Sequence, residues 1–105
     1  MMFIDSYTKG PVDRYSAKAS ARPVNFLYLA PHAQHVSVIG DFNGWHPNAN
    51  PMTRQPDGGW FTRIALHHGH HRYQFLVDGK PMLDPRAQGV ARNSRDEKVS
   101  IVAVS

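Results

Sequence analysis

Three groups of residues in this 105-residue chain have the types and spacing to do chemistry. One is the run His67-His68-Gly69-His70-His71. Alternation along an extended chain places His68 and His70 close together across a turn, and imidazoles so arranged are able to hold a zinc or nickel ion. The chain has no cysteine, and no acidic residue flanks the run to complete or orient a ligand set. The expectation is no native metal site, with some of these imidazoles lining a polar surface. A second group is Gly40-Asp41-Phe42-Asn43-Gly44-Trp45. Asn43-Gly44 supplies a turn, and a Trp is delivered into the loop beyond it. A flat aromatic at a loop tip stacks on the apolar C–H face of a pyranose ring while polar neighbours bind the hydroxyls. The same indole is equally suited to fold back and cover apolar side chains, and the residue types leave both readings open.

The third group is the carboxylates: Asp5, Asp13, Asp41, Asp57, Asp78, Asp84, Asp96 and Glu97. Glycoside hydrolysis needs two of them facing each other across a sugar-sized cleft. Asp57 and Asp78 precede glycine and Asp84 precedes proline, which are turn-forming contexts. No phosphate-cradling glycine loop and no nucleophile elbow is present. No residue is assigned a catalytic role, no cofactor is expected, and an enzyme is not the expected class.

These residues have to be positioned by strands. Residues 1–22 show no clean period and include Lys9-Gly10-Pro11; they are read as an amino-terminal arm or flexible tail. From residue 23 to 105 the pattern is alternating. Val24, Phe26 and Tyr28 share one face, then Val36 and Val38 up to Gly40, then Trp60, Thr62, Ile64 and Leu66, then Tyr73, Phe75 and Val77. Val99, Ile101 and Ala103 close the chain, with Val102 and Val104 opposite. Period two with β-branched and aromatic residues marks strands. Asp57-Gly58-Gly59, His68-Gly69 and Asp78-Gly79 fall between runs, where tight turns need residues that tolerate positive φ. The expected fold is all-β, an immunoglobulin-like antiparallel β-sandwich without a long helix. Phe26, Val36, Val38, Ile64, Tyr73, Phe75 and Ile101 are expected in its core. Trp60 has apolar period-two partners and is expected to pack in the core or at the sandwich edge.

Composition narrows the function classes. Hydrophobic residues make up 41% and charged residues 19%, a globular balance that excludes collagen-like, coiled-coil and wholly disordered chains. The formal charge of +4 raises the question of nucleic acid, but the basic residues are scattered and no Arg/Lys-rich helix appears. No apolar run approaches the ~20 residues of a membrane span, and the start lacks the sustained apolar stretch of a signal peptide. Neither nucleic acid nor membrane is expected as a partner. The expected compartment is the cytoplasm, which the absence of cysteine fits.

An ordered series of short motifs adds a resemblance. Asp41-Phe42-Asn43-Gly44-Trp45, Pro51-Met52-Thr53-Arg54, Asp57-Gly58-Gly59-Trp60, Leu66 through Tyr73-Gln74-Phe75, Val77-Asp78-Gly79 and Asp84-Pro85 follow one another. The series resembles carbohydrate-binding module family 48, over roughly residues 23–104. That family includes the glycogen-binding domain of the AMP-activated protein kinase β-subunit and the amino-terminal early-set domains of branching and debranching enzymes, isoamylase among them. The resemblance implies an immunoglobulin-like sandwich and a non-catalytic site for glycogen- or starch-like α-glucan. The family's first stacking Trp falls on Trp45. Its second aromatic platform falls on Pro81, its sugar-binding lysine on Gln74, and the asparagine before the last strand on Val99, with Asn93 nearby. The implied site is Trp45, Gln74, Lys80 and Asn93, with weak binding to an α-glucan polysaccharide or oligosaccharide. A glycan-metabolising enzyme or other protein is the further partner considered. The alternative is a structural or protein-interaction sandwich that has lost sugar binding.

Overall fold

The structure, a computed structural model, describes residues 20–105. The expected arm, apart from residues 20–22, lies outside the described residues. The rest is eight strands: β1 (Arg22–Leu29), β2 (Val36–Gly40), β3 (Thr53–Arg54), β4 (Gly59–Leu66), β5 (Gly69–Val77), β6 (Lys80–Met82), β7 (Gly89–Arg92) and β8 (Lys98–Val104). They form two sheets, one in the order β1-β4-β3 and one in the order β2-β5-β8-β7 with β6 also paired to β5, and every pairing is antiparallel. No helix among the described residues is long and apolar enough to cross a membrane. The all-β sandwich expected from alternation is the fold observed.

The alternating sets do bury themselves between the sheets. Phe26 of β1, Trp60 and Leu66 of β4, Val36 and Val38 of β2, and Tyr73 and Phe75 of β5 form one cluster, with Val38 and Phe75 fully inaccessible. The Phe26 and Tyr73 rings meet edge to face at 5.1 Å, and Tyr28 lies 4.8 Å from Phe75 across the sheets. Such contacts add to the area term of burial. Trp60 is buried as expected, and its indole N–H donates to the Ala30 carbonyl at 2.9 Å.

Two core expectations are corrected. Ile64 is only partly buried, packed at the margin of the cluster. Ile101 is also half-exposed, because the last strand presents its other face: Ser100, Val102 and Val104 point inward. The register sets this, since Ser100 pairs with core-facing Tyr73. A polar residue at the centre of that face concealed it. The Ser100 hydroxyl is fully buried and accepts a hydrogen bond from the Asp84 N–H at 2.8 Å, which offsets the cost of burying it.

Turn chemistry ties the sheets together. Asp78 (φ 47°) and Gly79 (φ 85°) make the two-residue β5–β6 hairpin, both in the positive-φ region that this turn requires. Asp78 then accepts the backbone N–H groups of Gln34 and His35 from the β1–β2 loop. Those two bonds, His35's first, hold its carboxyl below the usual carboxylate range. Arg54 of β3 lies over the Trp60 ring, 4.8 Å from its centroid, and donates to the carbonyls of Pro31 and Ala33.

Candidate functional site

The loop after β2 is built residue by residue around a single presented side chain. Gly40 is required because a Cβ there would lie 2.6 Å from the Phe42 ring and 2.7 Å from the Arg72 carbonyl. That close approach lets Phe42 turn back against the core, 6.1 Å from Phe26. Asp41 accepts the Arg72 N–H at 3.0 Å and returns its own N–H to the Arg72 carbonyl, fastening the loop to β5. Asn43 accepts the Gly40 N–H through its side chain and donates to the Val38 carbonyl and to Asn50 Oδ1. Gly44 takes a φ of 67°. Every residue from Gly40 to Gly44 is thus committed to loop structure.

Trp45 alone is not. Its N–H donates to the Gly40 carbonyl at 2.9 Å, its φ is 58°, and its side chain is half-buried. A bulky residue in the left-handed region is an outlier that costs about 1–3 kcal/mol and persists only where its surroundings over-determine it.

The outer face of the five-stranded sheet gathers other aligned positions. Along β5 the core takes Tyr73, Phe75 and Val77, so Gln74 and Leu76 point outward. Gln74 pairs with Ile39 of β2, and Leu76 pairs with Pro81 of β6. Val99, adjacent to inward Ser100, has outward parity and is fully buried. Gln74, Pro81 and Val99 therefore belong to one outer face. Gln74 donates to the Lys98 carbonyl at 3.1 Å, and its side-chain oxygen has no protein partner among the described residues.

Lys80 and Asn93 sit differently. Lys80 pairs with Val77 and so has core-side parity, its exposed side chain lying at the sheet margin. Asn93 starts the β7–β8 turn; its Oδ1 accepts the N–H groups of Arg95 and Glu97, and its Nδ2 donates to Glu97 Oε1. Gln74's bond to Lys98 places the base of that hairpin beside the outer face.

The described carboxylates are occupied structurally. Asp57 accepts the Gly59 N–H, Asp84 accepts the Tyr73 hydroxyl and the Arg86 N–H, and Asp96 pairs with Arg92 at 3.6 Å. Burial, then the Asp84 bond, hold the Tyr73 phenol far above its usual range. Among the described residues no three His, Asp or Glu side chains converge to hold a metal ion. Sequence reasoning missed one partner of the histidine run: Asp41, distant in sequence, lies 3.6 Å from His71 Nδ1, while His71 Nε2 meets the His67 carbonyl at 2.8 Å. Only the β2–β5 pairing brings Asp41 there, so no linear signal marks it.

Residues 14–95 match the family described as Carbohydrate-binding module 48 (Isoamylase N-terminal domain). The chain belongs to carbohydrate-binding module family 48. Similar proteins include the 1,4-alpha-glucan branching enzyme GlgB 2 of Xanthomonas campestris pv. campestris (strain 8004), 40% identical over 74 residues, which cover 68% of this chain and 10% of the enzyme. The 1,4-alpha-glucan branching enzyme GlgB of Chlamydia trachomatis serovar D is 61% identical over 36 residues, 34% of this chain and 5% of that enzyme. The chain thus spans about a tenth or less of the curated relatives it matches. Within this family 48 module, the motifs that carry the resemblance are largely the loop and turn anchors described above, with Trp45 the exception.

Proposed function

We propose that the protein is a non-catalytic α-glucan-binding module, of weak affinity, that takes glycogen- or starch-like chains on the outer face of the five-stranded sheet. One observation carries this reading: a loop whose residues from Gly40 to Gly44 are committed to its structure holds Trp45 in a left-handed conformation with its side chain half-buried. Stacking on a sugar ring is a use for that indole that repays the strained backbone. Gln74 supplies a free acceptor for a sugar hydroxyl, and Lys80 and the remaining Nδ2 hydrogen of Asn93 contribute at the rim.

The branching enzymes it resembles are named for action on 1,4-alpha-glucan, which supports the substrate class. A catalytic barrel of the kind that acts on such chains needs about 250 residues, so in this reading the described domain serves binding and not bond cleavage. The protein works in the cytoplasm, on the polysaccharide or beside an enzyme that metabolises it. Pro81 and Val99, which offer neither a second ring nor an amide on the same face, favour a second reading, a sandwich that docks a protein instead. Sedimentation with glycogen, repeated with β-cyclodextrin as competitor, separates the two. Co-sedimentation that cyclodextrin reverses supports the glucan module; no co-sedimentation leaves the docking domain.

A further inference from the structure

β1 is an edge strand whose only sheet partner among the described residues is β4. The Ala30 N–H donates to the Gly58 carbonyl at 3.2 Å in the register of that ladder. The even-numbered residues of β1 therefore exchange their backbone bonds with β4, and the odd-numbered ones face away. The N–H and C=O groups of Asn25, Leu27 and Leu29 line the free edge. Between Val24 and Leu29 there is no charged side chain of the kind that blunts an exposed edge, and Leu27 and Leu29 are 43% and 72% exposed.

A groove follows this edge. One stretch of about 540 Å³ lies between β1 and the end of β8, with Arg22 and Arg86 on its walls. A second of about 590 Å³ continues from Leu27 and Leu29 to Pro85 and Arg86. Among the described residues neither arginine has an ion-pair partner. Asp84 and Asp57 also line the two stretches, each turned to a hydrogen bond within the chain: Asp84 accepts from the Tyr73 hydroxyl and the Arg86 N–H, and Asp57 from the Gly59 N–H.

We propose that the free edge of β1 is a docking site for an extended, acidic segment of a partner polypeptide. The segment adds as a strand through the backbone groups of Asn25, Leu27 and Leu29, and Arg22 and Arg86 receive its carboxylates. A second copy of this chain fits less well, since β1 brings Arg22 and no acid to a symmetric pairing. The site is separate from the Trp45 face.

The test uses the full chain and two fluorescein-labelled peptides, one alternating Val with Glu and one alternating Val with Lys, read by fluorescence anisotropy. The Glu peptide should bind at least about tenfold more tightly. Leu27→Pro removes only an edge-facing N–H, a change that edge strands tolerate; it should weaken binding by about tenfold or more and leave glycogen co-sedimentation and the thermal midpoint unchanged. Should that variant unfold, Arg22→Glu with Arg86→Glu should reverse the preference to the Lys peptide. Equal binding of the two peptides, no binding of either, or unchanged binding in both sets of variants would overturn the proposal. So would dimerisation of the chain without peptide that Leu27→Pro abolishes, which gives the edge to a second copy.

Discussion

The backbone N–H of His35 donates to Asp78 Oδ1 at 2.8 Å, and that of Gln34 donates to the same oxygen at 2.9 Å. One carboxylate thereby pins the loop entering β2 to the hairpin leaving β5. Its pKa is depressed in the folded state, so the stability it contributes is complete above the unfolded carboxylate value near ~3.9. It is lost as pH falls through the lower folded value. Asp78→Asn keeps an acceptor and tolerates positive φ. Urea midpoints between pH 7 and pH 3 should fall more steeply for the wild type than for Asp78→Asn, with the difference confined to the acid end.

The Tyr73 hydroxyl donates to Asp84 Oδ2 at 2.6 Å within the buried cluster. Its raised pKa means that the folded protein holds this phenol neutral; the stability involved is full below the ordinary tyrosine value near ~10 and declines as pH rises above it. Alkaline titration at the phenolate absorbance band should show one tyrosine that ionises only on unfolding. Tyr73→Phe should remove that late component and cost about 1.5–3 kcal/mol, the scale of a hydrogen bond to a charged group.

Gly40 and Gly44 are both glycine for different reasons, and substitution separates them. Gly40→Ala drives a methyl into the Phe42 ring and the Arg72 carbonyl and should cost about 2–3 kcal/mol by overpacking. Gly44→Ala meets nothing within 4 Å but sits at φ 67°, so about 1 kcal/mol of backbone strain is expected. Denaturant unfolding measures both. Equal costs would mean that Phe42 is free to move aside.

Phe75 is fully buried between the sheets, and Phe75→Ala should cost ~3–5 kcal/mol. Ile101→Ala, at a half-exposed position, should cost well under half of that. Comparable losses would put the β8 side chains on the opposite faces from those described here.

This last contrast shows where the sequence was readable. The longer strands β1, β2, β4 and the core half of β5 announce themselves, because large apolar residues recur at every second position, with Thr62 of β4 the one polar interruption. β3, β6 and β7 do not: two to four residues hold no period, Pro81 sits inside β6, and Val90 is the one large apolar residue of β7. The inward face of β8 was hidden because Ser100 occupies its centre. At the site, Trp45 and its turn were legible from residue types. The opposite parities of Gln74 and Lys80 were not, since they depend on register across β2, β5 and β6. Nor was the commitment of the Asn93 amide to its own turn, which depends on the local path of the β7–β8 hairpin.

Titration of β-cyclodextrin into the wild type and Trp45→Ala, followed by calorimetry, tests the central claim most directly. With one aromatic platform and Pro81 where a second would stand, the wild type should bind in the millimolar range, about 4 kcal/mol. Trp45 is outside the core cluster, so Trp45→Ala should abolish detectable binding, a loss of ~2 kcal/mol or more, while its thermal midpoint stays at the wild-type value or above. Pro81→Trp should strengthen the wild-type interaction. Measurable affinity that Trp45→Ala leaves unchanged would contradict the account and move the glucan site away from this loop.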